Sequence, residues 1–186
     1  MTNRFTQSDQ QILRGVAKKS IHHGLDKEEP LPITLTDYDA ALRENAASFV
    51  TLEIEGKLRG CIGHLVAFQP LVVDVSANAF AAAFQDPRFQ PLSADEFEKF
   101  TLLLSVLSQP EPLPCASEAE LLTKIRQGVD GIILIDGPHR ATFLPAVWEN
   151  LSDPKDFLRQ LKLKAGLSAN HWSRTTQIQR YTTESF

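Results

Sequence analysis

The sequence predicts an α+β fold, on three observations. Residues 49–54 and 58–62 alternate apolar and polar side chains around Gly56, the period-2 pattern of a β-hairpin. Apolar stripes at helical spacing flank that hairpin on both sides. The order hairpin, helix, strand then recurs in the second half, so strands are linked mostly by hairpins and not by the helical crossovers of a doubly wound parallel sheet.

Ser8-Asp9-Gln10-Gln11 fits a capping box, and behind it Ile12, Leu13, Val16, Ala17 and Ile21 form one apolar helix face that Gly24 is expected to stop. Pro30 and Pro32 mark a connector, and residues 36–45 read as a short helix capped by Thr36. In the hairpin, matching the apolar faces selects an odd-length loop, Glu55-Gly56-Lys57. That register sets Ile54 against Leu58, Leu52 against Gly60 and Val50 against Ile62. On the opposite face Glu53 meets Arg59 and Thr51 meets Cys61.

Pro70 opens a helix to about Phe84. Its alanines at 77, 79 and 81–83 allow another element to approach closely. Residues 93–99 read as a helical turn, 100–107 as an apolar strand, and the proline-rich stretch 109–114 as a break. Ser117-x-x-Glu120 starts the next helix, with Gly128 at its end. Residues 131–135 and 140–144 form a second hairpin around Asp136-Gly137-Pro138. Asp153-Pro154 opens a helix to Ala165 with Gly166 behind it, and 176–182 is the last strand.

With 42% hydrophobic and 23% charged residues the chain can bury a proper core. A net charge of −4 with scattered Lys and Arg argues against nucleic acid or an anionic membrane as partner. No apolar run approaches the ~20 residues that span a bilayer, and residues 1–11 lack the apolar segment of a signal peptide. The two cysteines, Cys61 and Cys115, read as reduced thiols of a cytoplasmic protein.

Several motifs carry a resemblance. Leu58-Arg59-Gly60-Cys61-Ile62-Gly63, preceded by Ser48-Phe49-Val50-Thr51-Leu52, resembles the AMMECR family, also called AmmeMemoRadiSam system protein A. Asp86-Pro87-Arg88-Phe89, Ser105-Val106-Leu107-Ser108, Gly128-Val129-Asp130-Gly131, Leu144-Pro145-Ala146-Val147 and Lys164-Ala165-Gly166-Leu167 continue the match over most of the chain. The resemblance implies one domain over residues 1–186, with lobes of about 1–114 and 115–186. It also implies two similar β-hairpin/helix/strand repeats sharing one curved, mostly antiparallel sheet. Partners implied by it are a Memo-like protein and a radical S-adenosylmethionine enzyme. The chain departs from the family at Ala146, where Gln is common, and at His64, where a small hydroxyl residue is common; this makes His64 a poor candidate for a shared function.

Cys61 is the sharpest candidate for chemistry, because Arg59 should share its strand face and a fixed positive charge favours a thiolate. Gly60 and Gly63 would let a backbone or ligand come close. The alternative is a small buried core cysteine, and Glu53 opposite could neutralise Arg59. Thr51, Asp86 and Arg88 complete the candidate ligand-binding set, with Arg88 either a fork for a carboxylate or phosphate or a structural partner of a neighbouring acid. Asp74 and Asn78 share a helix face, expected to be exposed. Cys61-x-x-His64 has a metal-like spacing, but a strand turns the two side chains to opposite faces. Neither a metal nor another cofactor is indicated by the residue pattern. Two functions stay open: thiol chemistry at Cys61, and a non-catalytic module that binds a peptide, metabolite or protein on the same hairpin face.

Overall fold

A computed structural model describes residues 4–186 and shows an α+β protein. In chain order its elements are α1 (Gln7–Lys27), α2 (Ala40–Arg43), β1 (Ser48–Ile54), β2 (Lys57–Gly63), α3 (Leu71–Phe84), α4 (Ala94–Phe97) and β3 (Phe100–Leu107). There follow β4 (Glu111–Pro112), α5 (Glu118–Lys124), β5 (Gly131–Asp136), β6 (His139–Phe143), α6 (Pro154–Lys164), β7 (Gln177–Tyr181) and β8 (Thr183–Ser185). They form two compact units. One ends at Leu107 and takes in Glu184–Phe186; the other is Ser108–Thr183.

In the first unit α1 is capped by Thr6 and not by Ser8. The Thr6 hydroxyl accepts from Asp9 N at 3.2 Å while Asp9 Oδ2 accepts from Thr6 N at 2.9 Å, a complete capping box two residues upstream of the expected one. Leu13, Val16, Ala17 and Ile21 are buried as their spacing requires, whereas Ile12 is 37% exposed. Gly24 does not end the helix. It is a contact point: a Cβ there would lie 2.5 Å from the Phe84 ring of α3. The chain leaves α1 at Glu28, in the left-handed region at φ 58°. Residues 36–45 do not form one helix either, because Tyr38 and Asp39 are extended between a single 3-10 turn (Leu35–Asp37) and the one-turn α2. Leu42 is the buried side chain of these two turns, so little packing is available to lengthen them.

β1 and β2 pair antiparallel with Val50↔Ile62, Thr51↔Cys61 and Leu52↔Gly60, as the alternation requires. Nearer the tip the register differs from the expected one: Glu53 meets Leu58 and Ile54 meets Lys57, so the loop is the two-residue Glu55-Gly56. Both loop residues have positive φ, 53° and 71°, the twist that closes two-residue hairpins. The shift between Leu52 and Glu53 leaves Arg59 as the extra residue of a bulge, and the Glu53–Arg59 pair does not form. Gly60 lies against α3 so closely that a Cβ would sit 2.1 Å from the Ala82 carbonyl oxygen. The alanine-rich face of α3 therefore packs backbone to backbone on the hairpin. Val50, Leu52, Leu71, Val72, Val75, Ala79 and Leu104 fill the core between sheet and helices.

The strands lie in two four-stranded sheets, β2-β1-β3-β8 and β4-β7-β5-β6, and not in one shared sheet. The physical reason is the break at Thr182, after which β8 leaves β7 and the Phe186 backbone exchanges both hydrogen bonds with Leu104. In the second unit Ser117 caps α5 and Asp153 caps α6. Leu121, Ile132, Leu134, Phe157, Leu158, Leu161 and Ile178 make its core, with Trp148 stacked on Phe157 at 3.8 Å.

Candidate functional site

β2 is an edge strand, and its exposed backbone must be satisfied by something other than a ladder. The Asp86–Arg88 pair does this at Cys61. Asp86 Oδ2 accepts from the Cys61 amide at 2.9 Å, and Arg88 Nη2 donates to the Cys61 carbonyl oxygen at 3.3 Å. Two side chains thus stand in for a neighbouring strand. They are locked to each other as a fork, with Arg88 Nε to Asp86 Oδ1 at 2.9 Å and Nη2 to Oδ2 at 2.6 Å. Arg88 beside it, and secondarily the Cys61 amide, hold the buried Asp86 carboxyl well below the usual carboxylate range against the opposing effect of burial. The reciprocal bond to Asp86, and then the charge of that carboxylate, raise the pKa of Arg88 against the opposing effect of burial.

The structure therefore brings together the Arg59–Gly63 and Asp86–Phe89 motifs. Arg59, however, is not free. Its guanidinium makes a bidentate pair with Glu96, Nε to Oε1 at 2.8 Å and Nη2 to Oε2 at 3.0 Å, and a further bond to the Gln90 carbonyl oxygen at 2.8 Å. Those bonds to Arg59, followed by the Ser93 amide, bring the Glu96 pKa down to about 2. Phe89 has the Arg88 and Arg59 guanidinium carbons at 5.4 Å and 5.9 Å from its ring centre. Glu96 is a member the sequence reading missed. Its signal was Ser93-x-x-Glu96, a capping box that does form in α4.

With Gly60 turned to α3, Cys61 points to the opposite sheet face, where Thr51 is its cross-strand neighbour and Leu103 the next residue across. The thiol is half-buried and accepts a hydrogen bond from the Thr51 hydroxyl at 3.3 Å. Gly63 on this face abuts Phe49, where a Cβ would fall 2.3 Å from the ring, so its role is packing. Glu53 forms no hydrogen bond with Arg59; its cross-strand partner is Leu58. Leu103 is 45% exposed, which leaves the face accessible.

Asp74 and Asn78 are fully buried, contrary to the exposed face expected for them. The reason is local: β1 begins with Ser48, whose amide and hydroxyl both donate to Asp74. His64 Nδ1 also binds Asp74, at 2.6 Å, so the Cys61-x-x-His64 pair is split between different partners. In the second unit Asp136 at the hairpin turn is a buried hub. It accepts from His171, Ser173, Thr175 and Thr176, and those bonds, His171 first, place its carboxyl below the usual range. Among the described residues no three His, Cys, Asp or Glu side chains converge as a metal site. No helix among them is long and apolar enough to cross a membrane.

The α+β fold and the joined hairpin and Asp86–Phe89 motifs define a class of protein, and the AMMECR1 family model matches residues 15–186: the chain belongs to that family. It is 35% identical over 186 residues to a protein of Methanothermobacter thermautotrophicus, covering 98% of this chain and 95% of the relative. It is 37% identical over 146 residues to a protein of Thermotoga maritima, with 77% and 79% covered. The crystal structure of an uncharacterized protein from Pyrococcus horikoshii superposes with a TM-score of 0.87 at 29% identity, over 98% of this chain and 93% of that one.

Proposed function

We propose that this AMMECR1-family protein is a component of a modification pathway and that Cys61 is the group it uses, as a thiol nucleophile on the outer face of the first sheet. The Memo-like protein and the radical S-adenosylmethionine enzyme implied by the family resemblance are the partners proposed for it, in the cytoplasm. One observation carries the reading. The thiol is half-buried on an accessible sheet face and accepts a hydrogen bond from the Thr51 hydroxyl, a contact that favours negative charge on sulfur. Arg59 is committed to Glu96 and Arg88 to Asp86, so neither is a free cation beside the thiol.

Cys115 supplies the internal comparison, because burial, and then the charge of Glu120, push its thiol pKa up. Alkylation at pH 7, followed site by site by mass spectrometry, should label Cys61 well ahead of Cys115. Labelling of Cys61 only on unfolding would defeat the thiol reading.

A second reading has its own support: among the described residues no imidazole or carboxylate hydrogen-bonds the thiol to act as its base. Under it the face binds a peptide, metabolite or protein, and Cys61 fills space. Cys61→Ser separates the two. If the thiol is used, the variant folds but fails to restore the pathway in a strain lacking the protein; if the face only binds, it restores it.

A further inference from the structure

The Asp74–His64 pair lies outside the Cys61 site. The Asp74 side chain is fully buried and its carboxylate accepts five hydrogen bonds. Oδ2 receives the Ser48 amide at 2.9 Å, the Ser48 hydroxyl at 2.7 Å and Asn78 Nδ2 at 2.8 Å. Oδ1 receives Gln69 Nε2 at 3.0 Å and His64 Nδ1 at 2.6 Å. An amide N–H and two carboxamide NH2 groups can only donate, so Asp74 acts here as a carboxylate acceptor. His64 must then carry its proton on Nδ1, which leaves the lone pair of the neutral ring on Nε2. That nitrogen has no hydrogen-bond partner among the described residues, and the His64 side chain is 37% exposed.

Beside the ring is an apolar ledge. Phe68 meets His64 edge-on with centroids 4.8 Å apart, yet Phe68 is 58% exposed, as is Val66 of the same loop at 55%. Ser48 shares Asp74 but is fully buried and bonded to the acid, not to the imidazole, so it is no nucleophile for this histidine. His171 in the second unit offers a contrast. It spends Nε2 on Asp136, which leaves only the nitrogen nearer its own backbone.

We propose that His64 is a second chemical site, an imidazole base aligned by Asp74 that removes a proton from water attacking an ester whose apolar group rests on Phe68. Nε2 takes the water proton as the water oxygen bonds to the carbonyl carbon. The carbonyl π pair moves to oxygen. As that oxyanion re-forms C=O the ester C–O bond breaks, and the leaving oxygen takes the electron pair and then the proton from Nε2. A phenolate instead departs as the anion, while Nε2 returns its proton to solvent. Asp74 holds the imidazolium by ion pairing while the Nδ1 proton stays in place. The site is specific to a chain with histidine at this position and does not depend on the thiol.

The test uses 4-nitrophenyl acetate with the full chain carrying Cys61→Ser, so that no thiol reaction contributes. His64→Gln, which keeps a donor for Asp74, should cut hydrolysis on the order of a hundredfold, while His171→Gln leaves it unchanged. Diethyl pyrocarbonate acylates neutral imidazole nitrogens with a free lone pair, and it should modify His64 faster than His22, His23, His139 or His171. A rate untouched by His64→Gln, or acylation of His64 no faster than of the other four, would overturn the proposal.

Discussion

Glu96 carries two obligations at once. It closes the capping box of α4 through the Ser93 amide at 2.9 Å, and it holds both nitrogens of the Arg59 fork. Because its pKa is lowered in the folded protein to about 2 from an ordinary ~4.3, its contribution to stability is complete above the ordinary value. That contribution is lost as pH falls from there towards the folded one. Acid denaturation should therefore steepen between those limits, and Glu96→Gln should flatten that part of the curve while lowering stability at neutral pH. The side chains that meet at this edge of the first sheet were partly legible in the sequence. Arg59, Cys61, Asp86 and Arg88 stood out because arginines, glycines and a proline clustered in short motifs. The pairing of Arg59 with Glu96 was not legible, because an arginine opposite Glu53 in register had an obvious partner nearby. The burial of Asp74 was hidden for a different reason: a carboxylate on a helix reads as a solvated residue until something is found to donate to it.

At the scale of elements, the β1–β2 hairpin shows how far periodicity reaches. Alternation placed Val50, Leu52, Gly60 and Ile62 on one face, and the three inner pairs formed in that register. It could not anticipate the bulge, since Arg59 leaves the ladder to meet Glu96 and the tip then closes over two residues where three were expected. Glu55 is the strained member of that tip, at φ 53°. Two-residue loops of this twist favour Asn-Gly, so Glu55→Asn should stabilise the protein by roughly 0.5–1 kcal/mol. The check is a rise in the urea midpoint with an unchanged slope. In α1 the stripe predicted most of the buried face, while cap and stop moved by a few residues because Thr6 and Glu28 served where Ser8 and Gly24 were expected. The later helices α5 and α6 keep the expected caps, Ser117 and Asp153.

At the scale of the molecule, the sequence indicated the two hairpins but not the partners of the other strands. β4 contains a proline and β8 has three residues, so neither carries a period-2 signal long enough to read. The division into two sheets rests on β8 all the same. Glu184 accepts from the Arg4 amide at 2.8 Å, the Ser185 hydroxyl bonds Ser105 at 2.8 Å, and Phe186 packs edge-on to Phe5. Removing residues 184–186 should lower the hydrogen-exchange protection of β3 and α1 while leaving that of β5 and β7 near its original level. Equal loss in both units would show that they unfold as one.

The return of residues 184–186 to the first sheet also has a consequence during synthesis. β1, β2 and β3 leave the ribosome early, but the strand that covers the free side of β3 follows only after the whole of Ser108–Thr183 has been made. Throughout that interval β3 presents a long, largely apolar edge with open N–H and C=O groups, the kind of edge that recruits strands from other chains. The unit begun first is thus completed last, and the nascent chain is most exposed to mispairing while its second half is still being built.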